Sequence, residues 1–112
     1  MRVLVCGGRE YRDCDAVHSA LDDILPGVSL VIEGGALGAD CFAAEWADKT
    51  ETPHIQFSAD WKAHGRAAGP IRNREMLEKG RPDVVLAFPG GKGTENMISQ
   101  AEKAGVRVVR HE

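Results

Sequence analysis

The chain has 112 residues, of which 43% are hydrophobic and 28% charged, and its formal net charge is −3. These proportions are ordinary for a globular protein, and the length leaves room for one domain, so residues 1–112 are predicted to form a single domain. The negative charge argues against nucleic acid as the main partner, because binding along a phosphate backbone requires a basic surface.

The predicted elements alternate between strands and helices along the chain. Short apolar runs predict strands at residues 2–6, 28–32, 54–57, 83–88 and 106–109. The first predicted helix begins at an Asp13 or Asp15 cap, carries apolar residues as far as Leu25, and is stopped by Pro26-Gly27. Further helices are predicted at about 37–48, from Pro70 to Gly80, and between Gly93 and Gly105. Residues 58–69 are predicted to be a long connection, a kind of segment that is commonly functional.

This order of elements predicts an α/β protein with a five-stranded parallel sheet and helices on both faces. Glycine clusters directly follow the first, second and fourth strands, and they hold eight of the 13 glycines. If the strand order is 3-2-1-4-5, these three strands are neighbours and their loops meet at one edge of the sheet. Ligands of such sheets bind beyond the carboxyl ends of the strands. We therefore predict one ligand pocket where the three clusters meet.

The most specific cluster is Pro89-Gly90-Gly91-Lys92-Gly93-Thr94, which lies between a strand and a helix. Glycine lets backbone approach a ligand closely, and free N–H groups with the positive end of a helix dipole favour an anion, most often phosphate. The segment lacks the Walker A spacing, which needs four residues between the first Gly and Gly-Lys-Ser/Thr. We interpret it as a phosphate-binding loop, and the alternative is a tight turn in which Thr94 caps the helix.

The other two clusters are predicted to complete the pocket. Gly7-Gly8-Arg9 offers a guanidinium group, which suits bidentate binding of phosphate. Gly34-Gly35-Ala36-Leu37-Gly38-Ala39-Asp40 is interpreted as a site for a second phosphate or a ribose. The alternatives are a surface position for Arg9 and a capping role for Asp40 in the first turn of its helix.

Polar residues of the long connection and of the helix after it are predicted to form the remaining wall. Trp61 either stacks on a base or anchors the connection in a core, and His64 has either a chemical or a structural role. Arg72 and Asn73 lie in the first turn of the next helix and are predicted ligand contacts. No hydrolytic triad or paired carboxylates stand out, and the three cysteines show no metal-like spacing, so no metal or cofactor is predicted.

These motifs, taken in order, resemble the SLOG superfamily, which includes the LOG phosphoribohydrolases and the DNA-processing DprA/Smf proteins. The sequence is most similar to the small YspA-related branch, which carries Gly-Gly-Arg, Gly-Gly-Ala-x-Gly-Ala-Asp, Asp-Trp-x-x-x-Gly-x-x-Ala-Gly-Pro-x-Arg-Asn and Phe-Pro-Gly-Gly-x-Gly-Thr. The resemblance extends from Arg2 to about Val109. It implies a Rossmann-like three-layer α/β/α fold that binds a nucleotide or a nucleotide-derived ligand.

Comparison with the LOG enzymes limits the chemistry that the resemblance implies. Those enzymes pair an arginine with a glutamate in Pro-Gly-Gly-x-Gly-Thr-x-x-Glu. Here the arginine is kept at Arg72, whereas the glutamate position falls on Met97, next to Asn96. A carboxylate at that position stabilises positive charge on the ribose as the N-glycosidic bond breaks, which methionine cannot do.

The leading hypothesis is therefore binding or sensing of a phosphate-bearing nucleotide, or of an ADP-ribose-like or NAD-like molecule. The alternative is a LOG-like hydrolase of nucleoside 5′-monophosphates. Its candidate catalytic residues are Arg72, Glu95 and His64, with Asp40 and Asp60 as further acids.

Three further expectations concern the surroundings of the protein. No apolar run is long enough to span a membrane, and no signal peptide precedes the first strand, so a cytoplasmic protein with reduced cysteines is expected. LOG relatives are commonly dimers. Phe42 and Trp46, four residues apart on a predicted helix, either form such an interface or pack on the sheet.

Overall fold

Five parallel strands form one sheet in the computed structural model, which describes residues 1–112. The strands are β1 (Arg2–Cys6), β2 (Leu30–Glu33), β3 (His54–Gln56), β4 (Val84–Ala87) and β5 (Arg107–Arg110). The order across the sheet is β3-β2-β1-β4-β5, and Leu4 of β1 is paired with Ile32 on one side and Val85 on the other. The predicted strand order is confirmed, and the fold is a Rossmann-like α/β fold.

Helices connect the successive strands and cover both faces of the sheet. They are α1 (Cys14–Asp22), α2 (Ala39–Lys49), α3 (Trp61–His64), α4 (Ala68–Gly80) and α5 (Lys92–Lys103), with a 3₁₀ turn at Gly65–Ala67. Asp13, one of the two predicted caps, accepts a hydrogen bond from the Ala16 amide at the start of α1. None of the helices combines the length and the apolar character that crossing a membrane requires.

The first helix is shorter than its apolar pattern predicted. α1 ends at Asp22, so Leu25 lies outside the helix, with 84% of its surface exposed. Two local effects explain the early end. Asp22 and Asp23 place negative charge at the negative end of the helix dipole, and Pro26 disfavours helical geometry for the residue before it.

The predicted long connection at residues 58–69 also contains helical structure. The Asp60 side chain accepts a hydrogen bond from the Ala63 amide and thereby starts α3. The 3₁₀ turn follows directly, and α4 begins at Ala68, two residues before Pro70. Pro70 therefore lies in the first turn of its helix, as predicted, because a proline there sacrifices no helical hydrogen bond.

Alternating side chains of β1 divide the core into two halves. Val3 and Val5 belong to the half that α1 and α2 cover, whereas Leu4 and Cys6 belong to the half that α4 and α5 cover. The helix residues of the first half include Val17, Leu21, Ala43 and Trp46, and those of the second include Met76, Met97, Ile98 and Ala101. A strand buried on both faces is apolar throughout, which explains the uninterrupted apolar run at residues 3–6.

Phe42 and Trp46 pack against the first half of the core. Trp46 is buried, and its indole Nε1 donates a hydrogen bond of 2.8 Å to the carboxylate of Asp22, which joins α2 to the end of α1. Phe42 is half-buried against the same cluster. Of the two roles expected for this pair, packing on the sheet side is therefore the one that the structure shows.

The loops after β1, β2 and β4 touch one another at their glycines. The Gly8 amide donates a hydrogen bond of 2.9 Å to the Pro89 carbonyl. A Cβ on Gly7 would lie 2.7 Å from the Cβ of Ala39, and a Cβ on Gly38 would collide with the Gly8 carbonyl. The predicted meeting of the three clusters at one edge of the sheet is therefore observed, and close backbone contacts hold the loops together.

Replacing Gly38 by alanine is expected to destabilise the protein more than the same change at Gly105. Both residues have positive φ, +81° and +78°, so alanine costs each position about 1 kcal/mol or more in backbone strain. Only at Gly38 does the new Cβ also meet backbone, since nothing lies within 4 Å of it at Gly105. Urea denaturation measures both losses of unfolding free energy, and equal losses would contradict the close packing of the loops.

Candidate functional site

A cavity of about 1170 Å³ opens where the three glycine loops meet, at the carboxyl ends of the central strands. This volume is sufficient for a ligand of nucleotide size. The lining residues fall within the segments 6–12, 34–40, 58–61, 72–76 and 89–94. They include every glycine predicted for the pocket except Gly38, which packs beneath the Gly8 carbonyl.

The segment Pro89–Thr94 brings the start of a helix to the cavity. α5 begins at Lys92, one residue before the predicted Gly93, and its N-cap residue Gly91 supplies no side-chain hydrogen bond. Thr94 lies inside the first turn and is buried, so the alternative in which Thr94 caps the helix does not hold. The first amides of an uncapped helix lack intrahelical partners, and they are therefore free to bind an anion.

The glycines of this segment differ in what surrounds them. A Cβ on Gly90 would meet the Thr94 side chain and lie 2.6 Å from the Gly8 amide nitrogen, so Gly90 is part of the packed loops. Gly91 and Gly93 have open space where a Cβ would stand. The first kind of glycine builds the loop, and the second kind leaves backbone accessible from the cavity.

Arg72 connects α4 to the loop after β2. Its Nη1 donates to the Gly34 carbonyl over 2.7 Å, and its Nε donates to Asn73 Oδ1 over 3.0 Å. The ion pairs of the protein do not involve Arg72, and its Nη2 makes no hydrogen bond to the protein. Arg72 therefore presents N–H groups without a protein partner to the cavity.

Asn73 is a buried junction between α4 and α5. It is 2% exposed, and its Nδ2 donates to the Gly93 carbonyl and to Asn96 Oδ1, each over 3.1 Å. Asn96 also accepts a hydrogen bond of 2.7 Å from Gln100. Because both polar atoms of the Asn73 side chain have protein partners, this residue positions Arg72 and the start of α5.

The rim of the cavity carries further cations and aromatic rings. Arg9 and Arg12 are exposed, line the cavity, and have no carboxylate within ion-pair distance. Trp61 lines the same cavity and is 60% exposed, so it does not anchor the connection in a core. Tyr11 also lines the cavity and packs on Phe88 with a centroid distance of 5.4 Å.

Asp40 is a buried acid in the cavity wall, 5% exposed. Its Oδ2 accepts hydrogen bonds from the amides of Gly34, over 2.9 Å, and Ala36, over 3.4 Å, whereas no protein donor reaches Oδ1. Burial raises the pKa of Asp40 from 3.8 to about 7; Glu33 adds to the rise, and the two amides and Arg72 oppose it. Both protonation states are therefore populated near neutral pH, which suits proton transfer.

Glu33, the last residue of β2, is a second buried acid but has a different role. Its Oε1 accepts a hydrogen bond of 2.5 Å from the Gly35 amide, and its Oε2 lies 2.6 Å from Nε2 of His54. Both oxygens are therefore occupied by protein partners. Glu33 holds the loop after β2 in place, whereas Asp40 keeps one oxygen available.

Three of the candidate catalytic residues, His64, Glu95 and Asp60, lie outside the cavity lining. His64 is exposed at the end of α3, and Glu95 is exposed and contacts Arg110 at 3.4 Å. Met97, at the position of the LOG glutamate, is fully buried in the core. Of the residues named as catalytic candidates, only Arg72 and Asp40 line the cavity.

The cavity also contains residues that sequence reasoning missed: Cys6, Glu10, Tyr11, Arg12, Ser58, Ala59 and Met76. Cys6 and Ser58 lie at or just after the carboxyl ends of strands, so the rule used for the glycine clusters could have found them. No local signal identified Tyr11 or Arg12.

Burial, with the negative charge of Asp40, raises the pKa of Cys6 to about 12, so its thiol stays protonated and is a poor nucleophile.

The fold and site define a Rossmann-like α/β protein with a glycine-lined cavity at the carboxyl edge of a parallel sheet. The model of the family YAcAr, described as the YspA, cpYpsA-related SLOG family, matches residues 1–64. The chain is 42% identical over 119 residues to the Gene 61 protein of Mycobacterium phage D29, covering 96% of this chain and 94% of that protein. The chain belongs to the YspA, cpYpsA-related SLOG family.

Among solved structures, the fold is similar to the X-ray structure of DNA processing protein A (DprA) from Streptococcus pneumoniae, with a TM-score of 0.57 and 16% identity. The match covers 96% of this chain and 58% of that chain, so this protein spans little more than half the length of that one. At this identity the likeness shows a shared fold. The SLOG resemblance and the Rossmann-like fold predicted from the sequence are confirmed.

Asp40→Asn is expected to remove a pH-dependent loss of stability. The folded pKa of about 7 exceeds the ordinary 3.8, so the stability that Asp40 contributes is complete below about pH 4 and is lost as pH rises through 7. Between pH 5 and pH 8 this loss amounts to about 2–3 kcal/mol. The asparagine oxygen can accept both hydrogen bonds that Oδ2 accepts, so the unfolding free energy of the variant should not show this decrease with pH.

Urea denaturation at pH 5 and pH 8 measures the effect. Asp48→Asn is the matched control, because Asp48 is exposed on the same helix and should leave the pH dependence of wild type unchanged. If the unfolding free energies of wild type and Asp40→Asn change equally between pH 5 and pH 8, the raised pKa of Asp40 is wrong.

Proposed function

We propose that this protein binds or senses a phosphate-bearing nucleotide, or a nucleotide-derived molecule such as ADP-ribose or NAD. One observation carries the proposal: three glycine loops, an uncapped helix start and unpaired arginines converge on one cavity. Backbone amides at a helix start bind phosphate through hydrogen bonds and the helix dipole.

The phosphate end of the ligand fits the start of α5. Gly91 and Gly93 leave the backbone open there, and no side chain caps the helix. Arg72 adds a guanidinium group whose Nη2 has no protein partner. Charge-assisted hydrogen bonds of this kind are roughly twice as strong as neutral ones, so this end of the cavity favours a dianionic group.

The base and ribose fit the remaining lining. Trp61 and Tyr11 provide aromatic surface, and stacking of a base on an aromatic side chain is worth about 1–3 kcal/mol. The free Oδ1 of Asp40 can accept a hydrogen bond from a ribose hydroxyl. A ligand with a phosphate, a sugar and a base therefore uses every kind of group that the cavity offers.

A small ligand suits this chain better than DNA does. The protein has a formal net charge of −3, whereas binding along a duplex requires an extended basic surface. Three arginines that form no ion pair, Arg9, Arg12 and Arg72, lie together in the lining of the cavity. DNA processing, after which DprA is named, is therefore not part of this proposal.

Calorimetric titration with AMP, ADP-ribose, NAD and cyclic dinucleotides tests the proposal. At least one of these ligands should bind, and Arg72→Ala should weaken its binding about 10- to 100-fold, because a hydrogen bond to a charged group contributes about 1.5–3 kcal/mol. Arg74→Ala, on the same helix but outside the cavity lining, should bind as wild type does.

Gly93→Val distinguishes loss of ligand contacts from disturbance of the loop that Arg72 holds. Gly93 lies in the first turn of α5, whose backbone valine can adopt, and nothing lies within 4 Å of a Cβ there, so the fold should be kept while the amides are shielded. Wild-type protein that binds none of these ligands, even at millimolar concentration, would reject the proposal.

The second candidate function is hydrolysis of the N-glycosidic bond of a nucleoside 5′-monophosphate, and Asp40 is the observation that favours it. A buried carboxyl group with a pKa of about 7 and a free oxygen in the cavity can act as a general acid or base. This role differs from that of the LOG glutamate, whose position holds the buried Met97.

Chromatographic detection of free base after incubation with nucleoside monophosphates tests the second candidate. Turnover should fall at least about 100-fold in Asp40→Asn, the low end of the contribution of general acid–base catalysis. Asp48→Asn is the control. A preparation that binds the nucleotide and releases no base would exclude hydrolysis while leaving the binding proposal intact.

A further inference from the structure

A second group of reactive side chains lies on α1 and α2, away from the cavity. Cys14 Sγ is 3.5 Å from His18 Nε2 and 4.0 Å from Glu45 Oε2. The ligand atoms of these three residues all lie within 4.8 Å of one another. On the other side of the same carboxylate, Cys41 Sγ lies 4.0 Å from Glu45 Oε1.

The spacing of these residues follows the geometry of two packed helices. Cys14 and His18 are four residues apart on α1, and Cys41 and Glu45 are four residues apart on α2, so each pair lies on one face of its helix. The helices also join through Trp46 and Asp22. Cys14, His18 and Glu45 therefore approach one point between the helices, and Cys41 lies on the far side of the Glu45 carboxylate.

We propose that Cys14, His18, Glu45 and Cys41 form a binding site for Zn²⁺ that bridges α1 and α2. Zinc is bound tetrahedrally by thiolate, imidazole and carboxylate groups, which are the groups present here. Zinc–ligand bonds of about 2.3 Å to sulfur and 2.0–2.1 Å to nitrogen place tetrahedral ligand atoms about 3.5 Å apart. The Cys14–His18 distance already has this value, and the Cys14–Glu45 distance of 4.0 Å is close to it. Cys41 lies outside this group of three ligand atoms, 4.0 Å from Glu45, and its side chain must rotate to reach the metal.

Local charge favours a cation at this position. The charged groups around Cys14 are three acids, Glu45, Asp15 and Asp13, and one base, Lys49. All four proposed ligands are exposed or half-buried, so an ion can reach them from solvent. None of the four lines the nucleotide cavity, so this site is separate from the proposed function.

Zinc binding requires one local exchange of partners. Nε2 of His18 lies 3.0 Å from the Phe42 carbonyl, and it must give up this hydrogen bond to ligate the metal. The Phe42 carbonyl lies within α2, where it can keep a helical partner, so the exchange does not leave it unsatisfied. The two thiols lose their protons on binding, as zinc ligands generally do.

Titration of the metal-free, reduced protein with Co²⁺ and then Zn²⁺ tests the site. Cobalt should produce a thiolate charge-transfer absorbance, and zinc should displace the cobalt and raise the melting temperature of the wild-type protein. Zinc binding should weaken at least about 100-fold in each of the variants Cys14→Ser, Cys41→Ser and His18→Gln. A loss of this size exceeds the loss of about 10- to 100-fold that follows when a residue supporting a metal ligand is changed. His18→Gln keeps a donor for the Phe42 carbonyl, which limits loss of folding.

The control variants are His64→Ala and Glu51→Gln, which are exposed and outside the cluster, and they should bind zinc as wild type does. Absence of the charge-transfer band in wild type would overturn the proposal. Zinc binding that Cys14→Ser, His18→Gln or Cys41→Ser leaves unchanged would overturn the four-ligand site as well.

Discussion

The close approach of three backbone loops is the constraint on which the rest of the structure depends. A Cβ on Gly38 would collide with the Gly8 carbonyl oxygen, and the Gly8 amide donates a hydrogen bond to the Pro89 carbonyl. Parallel neighbouring strands release their loops at the same edge of the sheet, and only glycine lets such loops touch without side chains between them. The cavity exists because these loops are packed, and Gly91 and Gly93 are accessible because they do not take part in that packing.

Two buried acids near the end of β2 differ in how many of their carboxylate oxygens have a protein hydrogen-bond partner. Glu33 uses both oxygens on Gly35 and His54, so it holds the loop. Asp40 uses one oxygen for the same loop and leaves the other without a protein partner. The buried carboxyl group therefore keeps a raised pKa in the cavity wall, where the ionised form lacks the solvation of water.

The start of α5 explains how this family member can keep a ligand cavity without the LOG carboxylate. Met97 completes the hydrophobic core, and its neighbour Asn96 bonds to Asn73 and Gln100. These amide contacts tie α4 to α5 and hold Arg72 at the cavity. The position of the LOG glutamate thus serves core packing here, and its neighbour Asn96 serves to position α4 against α5.

The sequence by itself determined the parallel sheet and which of its strands are followed by glycine loops, because short apolar runs and turn glycines are local signals. The apolar spacing continues to Leu25, so the predicted first helix was too long. Asp22, Asp23 and Pro26 end the helix earlier. Only the tertiary structure decided which glycines pack against neighbouring loops, that Asp40 is buried with one free oxygen, and that Cys14 faces Glu45. These features join residues distant in the chain, and their distances depend on how helices and loops dock, which no local pattern encodes.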